Sequence, residues 1–275
     1  MKSQSSVFSI LRIFVIVLIM FILLAPFLWI LLASFRPNME LVRNQSLIPN
    51  TLTIENYVSL FGKSGYWQWI INSFIVATYT VLISLPLIVA GAYSVYRTHY
   101  WGRNALSLFL LSVYIFPTAL LVVPIFRIFN SLSLVDSHLG CALLNTAFAV
   151  PFGIWLLQAF LKSLPPELEE AAAVDGIGRM RTLFQIIIPQ AAPGIAITAL
   201  LSWIFAWNEY LLAATLTSVY ARTIPTGLAE FVTTTGTNWG SMAAVGFVSM
   251  LPALVFISLV QRHIVSGLTF GAVKG

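Results

Sequence analysis

Charge is what this chain has least of. Of its 275 residues only 8% are Asp, Glu, Lys or Arg, while 59% are hydrophobic. A soluble domain of that length needs far more charge on its surface. Cysteine is nearly missing: Cys141 stands alone inside an apolar run, so no internal disulfide is available. Histidine is scarce too. His99, His138 and His263 fall in different connections or ends, without the spacing of a metal site or a nucleophilic triad, and interfacial positions are expected for them. Gly62-Lys63-Ser64 looks like the end of a phosphate-binding loop, but the place of the leading glycine is taken by Tyr57, so no nucleotide site is expected. No hydrophilic stretch is long enough to build a second core. Residues 1–275 therefore read as one membrane domain with no catalytic, cofactor-binding or metal-ligating residues of its own.

Uninterrupted apolar sequence is abundant instead. Runs free of Asp, Glu, Lys and Arg occupy residues 13–35, 70–96, 104–126, 139–161, 182–208 and 231–261. Each can supply the roughly 20 residues that a helix rising about 1.5 Å per residue needs to cross a hydrocarbon core. The runs are continuous rather than alternating, and a helix satisfies its own backbone in lipid, so helices are expected and barrel strands are not. Pro189 and Pro193 interrupt the fifth run; proline suits a first helical turn, so that span is expected to begin near Pro193. The fold class is thus all-α, a polytopic membrane protein with six spans at about 11–35, 70–96, 104–126, 139–161, 193–215 and 241–263. The first run is too long for a signal-peptide core, and no small-x-small cleavage pattern follows it before Arg36. Pro86, Gly91, Pro117, Pro124, Pro151 and Pro252 inside the spans predict kinks and close packing, which ordinary bundles also use.

Lys and Arg in loops are retained on the cytoplasmic side. With both termini inside, that side holds Lys2, Arg12, Arg97, Arg103, Lys162, Arg179, Arg181, Arg262 and Lys274, nine against the five of Arg36, Arg43, Lys63, Arg127 and Arg222. The net charge of +5 reflects this topology and gives no reason to invoke nucleic acid. Trp67 and Trp69, after the outer connection 36–66, are placed at a membrane interface.

The inner connection, 162–192, carries more. Pro165 and Pro166 suit a first helical turn, Glu167, Glu169 and Glu170 place negative charge at the positive end of a helix dipole, and Ala171, Ala172 and Ala173 favour helix. Gly176 ends it. A second helix from about Arg179 puts Met180, Leu183, Phe184 and Ile187 on one apolar stripe that stops at Pro189. Two short helices joined at a glycine turn offer a small-residue surface and an aromatic knob to another protein; amphipathicity alone fits a helix anchoring the loop to the membrane surface about as well.

The order Glu170-Ala171-Ala172-Ala173-x-Asp175-Gly176, then Phe184, Ile187, Pro189 and Pro193, resembles the "EAA" loop of ABC importer membrane subunits, with the type I importer fold. The resemblance implies a coupling helix that docks into a groove on a cytoplasmic ATPase. Ile177 departs from it, because the family usually has a small residue after Asp-Gly. Phe205-Ala206-Trp207-Asn208-Glu209-Tyr210 and the tail Gly267 to Gly275 are similar to the MalG-like carbohydrate permease branch. Weaker matches lie at Ser34-Phe35-Arg36-Pro37, Glu55-Asn56-Tyr57, Asn72-Ser73 and Thr223-Ile224-Pro225.

On that resemblance, Glu170, Ala171, Ala172, Ala173, Asp175, Gly176, Phe184 and Pro189 are the ATPase-coupling residues, and Gly271, Ala272, Val273, Lys274 and Gly275 reach toward the ATPase. Trp207, Asn208, Glu209 and Tyr210 are pore or gate candidates. Read without the family, an acid beside a span is costly unless paired or wetted, and a structural pair with Trp207 as interfacial belt fits equally. The implied partners are a second homologous permease subunit, two ATPase subunits using ATP and Mg, an extracytoplasmic sugar-binding protein and membrane lipid. The implied place is a bacterial or archaeal cytoplasmic membrane. Rival solutes are a polyol, a glycerol-phosphate compound, a peptide or an amino acid. A more distant rival is an ion-coupled carrier, for which inverted repeats and buried midplane charges are expected.

Overall fold

The structure, a computed structural model, describes residues 2–43, 46, 48–62, 65–98, 100–113, 117–234 and 236–272. His99 and the tail residues Val273, Lys274 and Gly275 lie outside them. The helices run α1 (Lys2–Ser34), α2 (Asn38–Arg43), α3 (Glu55–Gly62), α4 (Tyr66–Arg97), α5 (Arg103–Ser112), α6 (Val122–Ser131), α7 (His138–Ser163), α8 (Glu167–Val174), α9 (Arg179–Thr182), α10 (Ile188–Gln190), α11 (Ala192–Asn208), α12 (Leu211–Leu216), α13 (Ile224–Leu228) and α14 (Trp239–Ala272). A two-residue hairpin pairs β1 (Val232–Thr233) with β2 (Gly236–Thr237).

Four described helices are long and apolar enough to cross a membrane, Leu11–Ser34, Tyr66–Arg97, His138–Ser163 and Trp239–Ser258, and a fifth arises if Arg179–Gln190 and Ala192–Asn208, bent by 79°, make one span. The run at 104–126 does not form one helix among the described residues. It yields α5, a 3-10 turn at Thr118–Leu121 and α6. Pro117, before the turn, has no N–H to give to a continuing helix. The span expected at 193–215 also breaks: α11 stops at Asn208 and α12 resumes at Leu211. Pro26, Pro86, Pro151 and Pro252, by contrast, sit inside continuous helices.

The chain divides into two compact units, one from the residues up to Tyr66 with Leu228–Leu251, the other from Trp67–Gly227 with the residues from Pro252 on. In the first, Arg36 is buried and its guanidinium donates to Glu40 Oε1 at 3.1 and 2.7 Å and to the Ser46 carbonyl at 2.7 Å. Glu40 also accepts from the Asn50 amide and the Thr51 hydroxyl. Asn56 donates to the carbonyls of Ser34 and Arg36, tying α3 to the end of α1. The Asn50 amide and Thr51 hydroxyl, with Arg36 behind them, hold the Glu40 carboxyl down at about 2 from an ordinary 4.5. A depressed carboxylate stabilises fully above its free-chain value and loses that contribution as pH falls through the folded one. Hydrogen exchange at the Asn50 and Thr51 amides is therefore expected to be slow at pH 6 and to lose its protection between about pH 4.5 and 2.

In the second unit, α4 and α7 approach closely through reciprocal glycines. A β-carbon at Gly91 would lie 2.5 Å from Ile154, and one at Gly153 would lie 2.3 Å from Ile88. Each isoleucine fills the space opposite the other helix's glycine, the small-residue packing typical of membrane helices. Ile88, Ala92, Ile154, Leu157 and Leu161 form the core at this end, and Leu183, Ile187 and Ala191 complete it.

Candidate functional site

The connection 162–192 folds as two short helices about a glycine. α8 begins after Pro165 and Pro166 with three acids in its first turn and carries alanines to its end. The Gly176 amide bonds back to the Ala173 carbonyl and the Ile177 amide to the Ala172 carbonyl, the paired pattern of a glycine-terminated helix. Gly176 takes φ +74°, the left-handed region open to glycine, and nothing lies within 4 Å of where its β-carbon would be.

The second helix differs from the single stripe expected of it. Leu183 and Ile187 are buried against α4 and α7, whereas Met180 and Phe184 are exposed by 67% and 61%. A π-helical turn at Leu183–Ile187 lies within this segment, and the apolar residues split into two rows four apart. One row roots the helix in the bundle; the other faces outward. Glu170, Ala171, Ala173, Asp175, Gly176 and Pro189 are also exposed, and only Ala172 of the named residues on α8 is buried. Glu170, Ala171, Ala173, Asp175, Gly176 and Phe184 are thus all exposed within one connection. Gly271 and Ala272 end α14.

Arg97, counted in the sequence only as a loop charge, closes the site from behind. It ends α4, and its Nη2 donates to the carbonyls of Leu161 at 2.9 Å and Leu164 at 2.7 Å, at the end of α7. Its Nε lies 3.4 Å from Glu169 Oε1 on α8. The signal available was position alone: a lone Arg on the last residue of an apolar helix.

The other candidates, Trp207 to Tyr210, sit where α11 breaks. Trp207 is buried and stacks on Trp203, which also stacks on Phe256 and meets Phe74 edge-on, so it is a core residue and not an interfacial belt. Asn208 is exposed and donates to the Ile204 carbonyl. Glu209 accepts from the amides of Leu212 and Ala213 at 2.9 and 2.8 Å and so caps α12. Tyr210 is exposed. Glu209 also lines a cavity of about 280 Å³ with Thr118, Phe148 and Phe205. Its two oxygens are already used by amides.

In the same unit a polar network, unread in the sequence, clamps residues 216–224. Buried Asn72 donates to the carbonyls of Tyr220 and Arg222, and its Oδ1 meets His138 Nε2 at 2.7 Å. Ser73 accepts from the Ile224 amide. Asp136, itself at φ +54°, accepts from the amides of Ser218, Val219, Tyr220 and Ala221. His138, expected at an interface, is thus part of this network.

A family model described as "Binding-protein-dependent transport system inner membrane component" matches residues 69–269. The trehalose transport system permease protein SugB of Mycobacterium tuberculosis is 38% identical over 258 residues, 92% of this chain and 93% of that protein. The trehalose/maltose transport system permease protein MalG of Thermococcus litoralis is 34% identical over 263 residues, 94% of each. Among solved structures, a chain of a bacterial ABC transporter involved in the import of the acidic polysaccharide alginate matches with a TM-score of 0.73, over 94% of this chain and 97% of that one. At 22% identity, that likeness shows the fold.

Proposed function

The chain belongs to the family of binding-protein-dependent transport system inner membrane components, and from that membership we propose that it is a permease subunit of an ATP-driven importer for a saccharide. It forms half of a translocation pore with a second, homologous permease subunit. Two cytoplasmic ATPase subunits use ATP and Mg, an extracytoplasmic binding protein delivers the solute, and lipid surrounds the spans. Relatives named for trehalose and maltose support an oligosaccharide of that kind, or a related glycoside, as the solute.

The observation that carries this reading is the two-faced connection 162–192. Leu183 and Ile187 anchor it in the bundle, while Glu170, Ala171, Ala173 and Phe184 stand free for a partner. A lever of this form has one end in the spans and the other on an ATPase. With both termini in the cytoplasm, this connection faces the ATPase, and Trp207 to Tyr210 lie toward the outer face. There the cavity beside Glu209 supports a gate. ATP hydrolysis belongs to the partner; this chain contributes shape. The ATPase moves the pore only to the extent that it binds the two conformations with different affinity.

Affinity purification from native membranes in mild detergent tests this. The wild-type chain is expected to bring down an ATPase and a second permease, and Glu170→Lys to lose the ATPase while keeping the second permease. Saccharide uptake by the reconstituted complex should require ATP. Uptake that follows an ion gradient instead, or a chain recovered alone, would sink the assignment.

A further inference from the structure

We infer that Arg97 is the positioning residue that carries the movement of α8 to two spans at once; this rests on the importer reading above. α8 has few other holds on the bundle. Of its eight residues Ala172 alone is buried, and its first turn is exposed or half-buried. The Arg97 side chain is 8% exposed and Glu169 22%, so their charges meet in a mostly dry place. Among the described residues neither Arg97 Nε nor Glu169 Oε1 has a hydrogen-bond partner; the two are held by charge at 3.4 Å.

One guanidinium therefore joins three elements. Its covalent root is the last residue of α4, its Nη2 holds the terminal carbonyls of α7, and its Nε faces α8. Tyr96 reinforces the joint, with the Arg97 guanidinium 5.2 Å and the Lys162 ammonium 5.9 Å from its ring centre. Arginine suits this place because its planar fork serves several acceptors in fixed directions, which a lysine ammonium does not. The half-buried Leu164 carbonyl, just past α7, takes the Arg97 guanidinium as a partner, and the buried Leu161 carbonyl accepts from it as well as from the Leu164 amide, so α7 and α4 cannot separate here without losing both guanidinium bonds. A pull on Glu169 then reaches the ends of both helices. Packing alone does not do this, because Leu183 and Ile187 lie further along the connection, beyond the Gly176 turn.

The test uses the complete importer in proteoliposomes and compares wild type, Glu169→Gln, Arg97→Gln and the double variant. The readouts are subunit stoichiometry, ATP hydrolysis, and saccharide moved per ATP hydrolysed. Each single variant is expected to keep its ATPase subunits and to hydrolyse ATP within about twofold of wild type, while saccharide moved per ATP falls about tenfold. The double variant should be no worse than Arg97→Gln, because both changes break one link. Glu169→Gln guards against misfolding, since it leaves the α4–α7 joint intact. An unchanged Glu169→Gln, hydrolysis falling in step with transport, or losses that multiply in the double variant would each overturn the inference. A wild-type complex without ATP-driven uptake would instead overturn the importer reading, and the inference with it.

Discussion

ATP-driven uptake is expected to fall to background in a Gly176→Pro chain that still reaches the membrane in normal amount. The substitution has two direct costs. Proline fixes φ near −65°, whereas this residue sits at +74°. It also removes the amide that bonds to the Ala173 carbonyl and closes α8. Together they are worth about 3 kcal/mol or more, enough to unwind a two-turn helix that has one buried residue. The surrounding space plays no part, because nothing lies within 4 Å of the missing β-carbon. That makes a graded series informative. Gly176→Asn, which tolerates the left-handed region, should keep most of the uptake, and Gly176→Ala, costing about 1–2 kcal/mol, should fall between. Chain abundance should be unchanged across the series, since the spans do not depend on this turn. Normal uptake by a well-expressed Gly176→Pro chain would remove the connection from the transport cycle.

The long helices were legible because a charge-free run of 20 or more residues admits few other structures in lipid. Hydropathy does not register where such a run breaks. Residues 104–126 are free of charge throughout, yet α5 ends at Ser112 and the next described turn begins only at Thr118, after Pro117, and the fifth span yields to a bend between Pro189 and Pro193 and to a stop at Asn208. The glycine turn was legible, because only a few residues take positive φ and glycine takes it without strain. The orientation of the second short helix was half legible. Four apolar residues at i, i+3, i+4 and i+7 fix a broad face, and whether that face is wholly covered depends on neighbours the spacing cannot name.

Polar partners were the least legible. Arg97, Asp136 and His138 were visible as charges or as scattered rings, but hydrogen bonds across 64 to 85 residues of sequence leave no local pattern. Four short motifs carried part of this information unread. Ser34-Phe35-Arg36 is bound by Asn56 and Tyr57, and Asn72-Ser73 binds the stretch that ends in Thr223-Ile224. Each weak match is half of a hydrogen-bonded pair. Their residue types are dictated by a distant partner, so each looks minor alone. The Trp207-Asn208-Glu209 stretch teaches the reverse. A carboxylate beside a span invited a pore reading, and its first use is to cap α12.

Asp136→Ala is expected to lower the thermal midpoint of the purified protein by roughly 5 °C at pH 7, through loss of about 1–2 kcal/mol. The carboxylate holds the amides of Ser218, Val219, Tyr220 and Ala221 together with the Ser218 hydroxyl, so one side chain organises a whole turn. The figure stays small because Ser218, Val219 and Tyr220 are exposed, and their amides regain water when the acceptor goes. Burial on its own would raise the Asp136 carboxyl; the four amides outweigh it and hold the group below the ordinary aspartate value of 3.8. The contribution is therefore complete above about pH 4 and fades as the pH drops below that, never as it rises. Asp136→Asn separates charge from shape. Asparagine accepts the left-handed backbone at φ +54° and keeps one oxygen, so its midpoint should lie between those of wild type and Asp136→Ala. Its midpoint should also lack the acid-side decline that this carboxylate contributes. If Asp136→Ala melts with wild type at pH 7, the clasp over residues 218–221 contributes nothing to stability. If Asp136→Asn keeps the full acid decline, another carboxylate produces it.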